Sequence, residues 1–279
     1  MVYLIMAITS SMLVSVIMRV SEKHIRNNTS MLAANYLMCM VLAAICTETW
    51  NLFPVFEQGF PFSVGLGVIS GMFYLGSFML LQWNIRENGV VLSSVFMKLG
   101  VLVPTLMSIL VFGEIPQAFQ VMGMVIAVCA ILLINMDGKG EKAKNGWGLV
   151  FLLLAGGATD AMSKVFEELG VAALKNQFLL YTFIVAFIMC VLVCKMNGQG
   201  LTKEDALFGL LIGVPNYCSA RFLLLSMADL PAVIVYPTYS VATIVLVTIV
   251  GVAAFKEKLS RRQKTAMMMI FAALILLNI

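Results

Sequence analysis

The sequence predicts an all-α polytopic membrane protein of ten transmembrane helices arranged as two inverted five-helix repeats. Three observations lead there. The first is composition: of 279 residues, 61% are hydrophobic and only 11% charged, with a mean hydropathy of +1.00. Soluble chains run at about 45–50% apolar and about 25% charged, so this chain lacks the polar cover a soluble surface needs. That excludes soluble enzymes, disordered proteins and nucleic-acid binders. The second observation is that charge collects in short loops between apolar stretches of about 20 residues, the length that crosses a bilayer. The third is an internal repeat at a shift of 143 positions.

In chain order the predicted spans are 2–20, 31–49, 62–83, 89–112, 116–136, 147–166, 176–194, 206–228, 232–254 and 264–279. The first starts at Met1 without a basic leader or a small-residue cleavage site, so it reads as a retained helix rather than a signal peptide. The loop after it holds His24, the single histidine of the chain, which argues against a metal centre. Gly65, Gly67 and Gly71 in the third span allow close helix approach, as do Gly156 and Gly157 in the sixth. Residues 137–146 form the longest polar connection. Its glycines and lysines lack the spacing of a phosphate-binding loop, so it reads as a linker between repeat 1–136 and repeat 147–279. Six cysteines lie in apolar stretches without a CxxC pair and read as small core residues. No cofactor is expected.

The shift of 143 aligns 67–136 with 210–279 without a gap and pairs Tyr74 with Tyr217, Thr105 with Thr248, Phe112 with Phe255 and Glu114 with Glu257. The first helices of the halves align with a two-residue adjustment, placing Ser15 and Arg19 opposite Asp160 and Lys164. Five helices per half is an odd number, so the second half enters the membrane in the opposite sense. Many secondary transporters build alternating access around a midplane site from such inverted repeats.

The junctions before the last helix of each half read Val111-Phe112-Gly113-Glu114-Ile115-Pro116 and Phe255-Lys256-Glu257-Lys258-Leu259-Ser260. On these two motifs and the tandem five-helix plan, the chain resembles the ten-helix, EamA-like members of the drug/metabolite transporter superfamily. The second copy departs from the family pattern at Lys256, where glycine is usual. The resemblance implies a cavity walled by helices of both halves and transport of small metabolites, amino acids or drugs. It also implies that both termini lie inside. Charge says otherwise: fourteen loop lysines and arginines, from Arg19 to Lys264, fall on one face and Lys175 alone on the other. Basic loops stay cytoplasmic, which places both termini outside a plasma or inner membrane.

Ionisable groups inside a bilayer cost about 2.5–3.5 kcal/mol each on insertion scales, so each needs a reason. Lys98 lies near the middle of the fourth span and Arg221 in the second half of the eighth. Asp160 and Lys164, spaced i,i+4, share a face of the sixth span and can pair. Tyr74, Tyr217, Tyr236 and Tyr239 supply apolar surface with a hydroxyl handle. These eight residues are the predicted substrate site. A guanidinium and an ammonium facing one central cavity favour a small anionic or zwitterionic, amino-acid-like metabolite. A carboxylate free of a cationic partner would instead favour cationic or lipophilic drugs. The partners expected are a small-molecule substrate, the lipid bilayer and a coupling proton or counter-substrate, with a monomer or homodimer as the assembly. A membrane-embedded enzyme or a channel is the alternative from another class.

Overall fold

A computed structural model describes residues 1–47, 53–88, 90–135, 145–255 and 261–278. Every regular element among them is helical. The helices are α1 (Val2–Ser21), α2 (Asn28–Ile45), α3 (Phe60–Asn88), α4 (Val90–Leu99), α5 (Leu102–Leu110), α6 (Ala118–Asn135), α7 (Gly146–Leu169), α8 (Lys175–Met196), α9 (Lys203–Ser226), α10 (Ala232–Phe255) and α11 (Arg261–Leu277), with a 3-10 turn at Ala172–Leu174 leading into α8. Most of the predicted linker and residues 256–260 of the second junction motif lie outside the described residues.

Seven helices among the described residues are long and apolar enough to cross a bilayer: α1, α2, α3, α7, α8, α9 and α10. Three shorter apolar stretches, Phe96–Leu110, Ala118–Leu133 and Lys264–Leu277, accompany them. Large apolar side chains such as Leu110, Val125, Phe151 and Met268 are exposed. Water would penalise that surface and lipid would not. The chain is a polytopic, membrane-embedded helical protein.

The fourth predicted span, 89–112, is two helices rather than one. Pro104 has no N–H to offer the Gly100 carbonyl, which accepts instead from Val103 N–H at 2.9 Å, and the ladder tightens through 100–103. Gly100 at this break lies against Gly157 of α7 so closely that a Cβ built on Gly157 would sit 2.1 Å from the Gly100 carbonyl oxygen.

The chain divides into two compact units. Unit 1 comprises Met1–Leu75 and Met162–Ala228, unit 2 Gly76–Ala161 and Asp229–Ile279. Each draws on both halves of the sequence.

In unit 1, α9 packs on α1 and α2, and α2 packs on α8. Two glycine pairs set the closest approaches, and they match in detail. A Cβ on Gly209 would meet Met31 O at 2.3 Å and Ala34 Cβ at 2.6 Å; on Gly213 it would meet Met38 Cβ at 2.5 Å and Asn35 O at 2.7 Å. A Cβ on Gly67 would meet Phe178 O at 2.9 Å and Tyr181 Cβ at 3.0 Å; on Gly71 it would meet Thr182 O at 2.5 Å and Val185 Cβ at 2.7 Å. Met31, Ala34, Asn35 and Met38 of α2 stand a constant 147 positions before Phe178, Tyr181, Thr182 and Val185 of α8. Gly67 and Gly71 stand 142 before Gly209 and Gly213. A Gly-x-x-x-Gly in each half thus seats the second helix of the other half through the same atoms.

In unit 2, α6 packs on α11 around Ala127, Ala130, Ile131, Ile270 and Ala273, and α10 packs on α5 and α11. Thr105 and Thr248, paired by the repeat, do the same thing: each hydroxyl donates to the carbonyl four residues back, Val101 at 2.8 Å and Ile244 at 2.7 Å. The end of α3 is held to the start of α7 by buried asparagines. Asn84 donates to the Gly148 carbonyl at 3.0 Å, while Asn88 and the Asn145 backbone exchange two bonds at 2.8 and 3.1 Å.

Candidate functional site

Four aromatic rings form one cluster in unit 1: Tyr36 (α2), Tyr74 (α3), Phe183 (α8) and Tyr217 (α9). Tyr36 meets Tyr74 edge-on at 5.9 Å between centroids, and Phe183 meets Tyr217 edge-on at 6.3 Å. Tyr36 stacks on Phe183 at 6.3 Å, and Tyr74 tilts against Phe183 at 5.8 Å. Tyr36 and Phe183 stand 147 positions apart, the offset that relates α2 to α8, and Tyr74 and Tyr217 are the repeat pair. The cluster is therefore two matched pairs, one from each half, with matched edge-on contacts. Between Gly71 and Tyr74 there are three steps and between Gly213 and Tyr217 four; Pro215 lies in that longer stretch.

One helical turn beyond Tyr217, Arg221 donates from Nη1 to the Tyr217 hydroxyl at 3.0 Å. Arg221 lines a cavity of about 270 Å³ with Glu57, Lys175, Asn176, Gln177 and Thr47 among its walls. This cavity lies where α9 and α2 end and α8 begins. At the opposite end of the same unit a carboxylate ties the α1–α2 loop to the start of α9. The buried Asp205 carboxylate accepts from the N–H groups of Arg26 at 2.9 Å, Asn27 at 3.3 Å and Thr202 at 3.3 Å, and Thr202 closes a capping box with it at the start of α9. The two ends of unit 1 thus differ: one holds a charged cavity, the other a carboxylate that staples the α1–α2 loop onto α9.

The structure corrects the pairing expected for Asp160. Lys164, buried at 2% exposure, turns to the end of α7 and pairs with Glu167 at 3.3 Å and with Glu168. Two carboxylates one turn ahead, near the helix end, outcompete one a turn behind. The Asp160 carboxylate has no hydrogen-bond or ion-pair partner among the described residues. Its backbone carbonyl accepts from the hydroxyl of fully buried Tyr236, at 2.7 Å.

Of the remaining predicted residues, Tyr239 is half-buried on α10 and Lys98 is exposed on α4, two residues before the break at Gly100. Tyr74, Tyr217 and Arg221 therefore come together in unit 1, and Asp160 comes together with Tyr236 in unit 2, the unit that also holds Lys98 and Tyr239. Tyr36, Phe183 and Glu57 escaped the sequence reading, and Lys175 entered it only as a loop charge. The first two become visible once the repeat is extended into the second helix of each half at its own offset of 147.

The junction motif also acquires a role. Gly113 adopts φ +69, the left-handed region where a side chain is costly. That turn aims the Glu114 carboxylate at the start of α10, where it accepts from the N–H groups of Ala232 at 3.1 Å and Val233 at 2.8 Å. These are orphan donors of a helix start, and a carboxylate suits the positive end of the helix dipole.

No family model matches the chain. It is 24% identical over 276 residues to an uncharacterised protein of Haemophilus influenzae, covering 92% of this chain and 91% of the relative. A solved crystal structure matches with a TM-score of 0.73 at 16% identity, over 99% of this chain and 94% of that one. At that identity the likeness concerns the fold alone.

Proposed function

We propose that this chain is a secondary transporter of a small organic solute, working by alternating access between two inverted five-helix halves. The observation that carries the reading is the reciprocal packing in unit 1. When helix A of one half seats helix B of the other, and A of the second seats B of the first through matching atoms, the halves stand in the self-complementary relation of a two-fold axis. With five spans per half, such an axis lies in the membrane plane, the plan that many secondary transporters share. Further support comes from the broken helix at Gly100–Val103, since discontinuous helices line transport sites in such folds. Membership of the drug/metabolite transporter superfamily, with EamA-like repeats at 1–136 and 147–279, belongs to the same reading. So does a plasma or inner membrane location with both termini outside, which turns the Arg221 cavity outward. Two fused halves complete the pathway, so one chain suffices.

The test is solute flux in sealed proteoliposomes against a panel of amino acids, organic acids and organic cations, with a proton gradient or trapped solute as the driver. Gradient-dependent or exchange-dependent uptake of any solute supports a carrier. Product formation in detergent without a sealed compartment would identify an enzyme, and unsaturable flux a channel.

Asp160 favours a second reading. With Lys164 engaged elsewhere, an intramembrane carboxylate is left without a cationic partner among the described residues, the arrangement an organic cation or a coupling proton would use. If the cargo is cationic, Asp160→Asn abolishes its uptake; if the cargo is anionic or zwitterionic, the same variant retains exchange and loses at most the proton dependence.

A further inference from the structure

We infer that the cavity around Arg221 is a binding site for a small zwitterion, a solute bearing one carboxylate and one ammonium group. Three charged side chains from three different elements share its wall: Arg221 from α9, Lys175 from the first turn of α8 and Glu57 from the connection between α2 and α3. No ion pair joins any two of them, although oppositely charged groups line the same space. Arg221 is steadied instead by the Tyr217 hydroxyl at 3.0 Å. Asn176 is steadied by donating to the Cys46 carbonyl at 2.8 Å. Arg221 is therefore held in place, and no two of the three charged groups neutralise one another.

That arrangement selects by charge pattern. Two cations in one cavity repel a simple organic cation and attract a carboxylate, for which a guanidinium offers paired donors and an ammonium a compact charge. The Glu57 carboxylate disfavours a second negative group and favours an ammonium. A zwitterion satisfies both demands and leaves neither sign unmatched. Volume adds a limit, since about 270 Å³ falls just below the roughly 300–1,000 Å³ of pockets for drug-sized ligands. The position adds a role: the site is built wholly within unit 1, where α9 and α2 end and α8 begins, so it would collect solute before or after passage. That role rests on the transport reading, whereas the binding itself does not.

A phospholipid headgroup with phosphate and ammonium shares this chemistry, and the test separates the two sources. Purified protein is placed in nanodiscs of phosphatidylcholine alone. Binding of alanine, 4-aminobutyrate, propionate and ethylamine is then measured by calorimetry and by thermal unfolding. At least one zwitterion binds, and propionate and ethylamine bind at least ten-fold more weakly. Arg221→Met lowers zwitterion affinity ten-fold or more, Lys175→Met lowers the affinity for zwitterion and propionate alike, and Glu57→Gln narrows the gap between zwitterion and propionate. Two outcomes overturn the inference. One is no zwitterion binding, or binding indifferent to all three substitutions, in protein that elutes and unfolds like wild type. The other is zwitterion binding absent in phosphatidylcholine together with Arg221-dependent stabilisation by phosphatidylethanolamine, which makes the cavity a lipid site. Flux is scored separately. Alanine binding without flux of any solute removes the transport reading and leaves the site, whereas flux with binding untouched by Arg221→Met removes the site and leaves the transport reading.

Discussion

Replacing one small residue in each half should produce twin defects. A methyl group added at Gly213 would stand 2.5 Å from Met38 Cβ and 2.7 Å from the Asn35 carbonyl; one added at Gly71 would stand 2.5 Å from the Thr182 carbonyl and 2.7 Å from Val185 Cβ. Ordinary contact begins at 3.4 Å, so α2 must retreat from α9, or α8 from α3, by about 0.9 Å. Backbone oxygens cannot rotate aside as a flexible side chain would. A gap of about 0.5–1 Å forfeits a quarter to a half of each dispersion contact along the seam, and overpacking typically costs about 1–3 kcal/mol. Alanine returns about 1 kcal/mol through its higher helix propensity. Gly71→Ala and Gly213→Ala should therefore each destabilise by up to about 2 kcal/mol, a fall of up to about 30-fold in the folded-to-unfolded ratio. Gly76→Ala is the control: a Cβ there meets nothing within 4 Å, so only the propensity gain remains and the variant should be neutral or stabilised. The assay is unfolding by titrated SDS in mixed micelles, followed by tryptophan fluorescence. If Gly213→Ala behaves like Gly76→Ala, or if one of the twin substitutions is costly and the other is not, the reciprocal packing argument fails.

Three further outcomes are expected. Glu114→Ala removes the acceptor of two N–H groups at the start of α10 and should cost about 0.5–2 kcal/mol, as helix N-caps do, with faster hydrogen exchange confined to the first turn after Ala232. Asp205→Ala strands backbone donors of Arg26, Asn27 and Thr202 and should destabilise by about 1.5–3 kcal/mol, the worth of a charged hydrogen bond; limited proteolysis should then cut the α1–α2 loop sooner. Lys164→Met leaves Glu167 and Glu168 without their cation and should cost about 1–3 kcal/mol, because both carboxylates keep contact with solvent; the triple variant with Glu167→Gln and Glu168→Gln should regain most of that loss in the same unfolding assay, and failure to regain it would show that the lysine acts through packing alone.

Much of the architecture was legible because bilayer physics leaves few options. Apolar stretches separated by charged loops located the long helices to within a few residues, and every span predicted from 2 to 279 overlaps a helix. The break in 89–112 was less legible: Pro104 announces a lost hydrogen bond, but proline also sits within α9 and α10, which stay continuous. Whether the ladder reseals depends on what packs against it, here Gly157, and no local pattern reports that. Charge partners were the weakest point. Asp160 and Lys164 satisfy the i,i+4 rule, yet Glu167 and Glu168 satisfy it from the other side, and helix-surface spacing alone does not rank rivals. The aromatic cluster was half visible, because a gapless repeat search recovers Tyr74 with Tyr217 and cannot cross the change of offset to recover Tyr36 with Phe183. The cavity was invisible for a simpler reason. Glu57, Lys175 and Arg221 sit in three separate stretches, and loop charges read as solvated until the ends of the helices bring them around one space.

The exchange of glycine seams between the halves also bears on how the chain is made. Gly67 finds its seat at Phe178, and Met31 finds its seat at Gly209, so neither contact exists until much later segments leave the ribosome. At about 5–20 residues per second, α3 waits several seconds and α2 longer still, with their tightest faces turned to lipid or to the insertion machinery. The first five helices can be inserted, but their unit 1 portion has no core of its own to close around. Assembly is thus a late, concerted event that follows insertion of α9, and a chain truncated after α8 would have the glycine face of α3 filled and the seat on α2 left empty. By the same logic the two halves, expressed as separate polypeptides, carry complementary seams and should find each other in the membrane without the peptide bond that normally joins them.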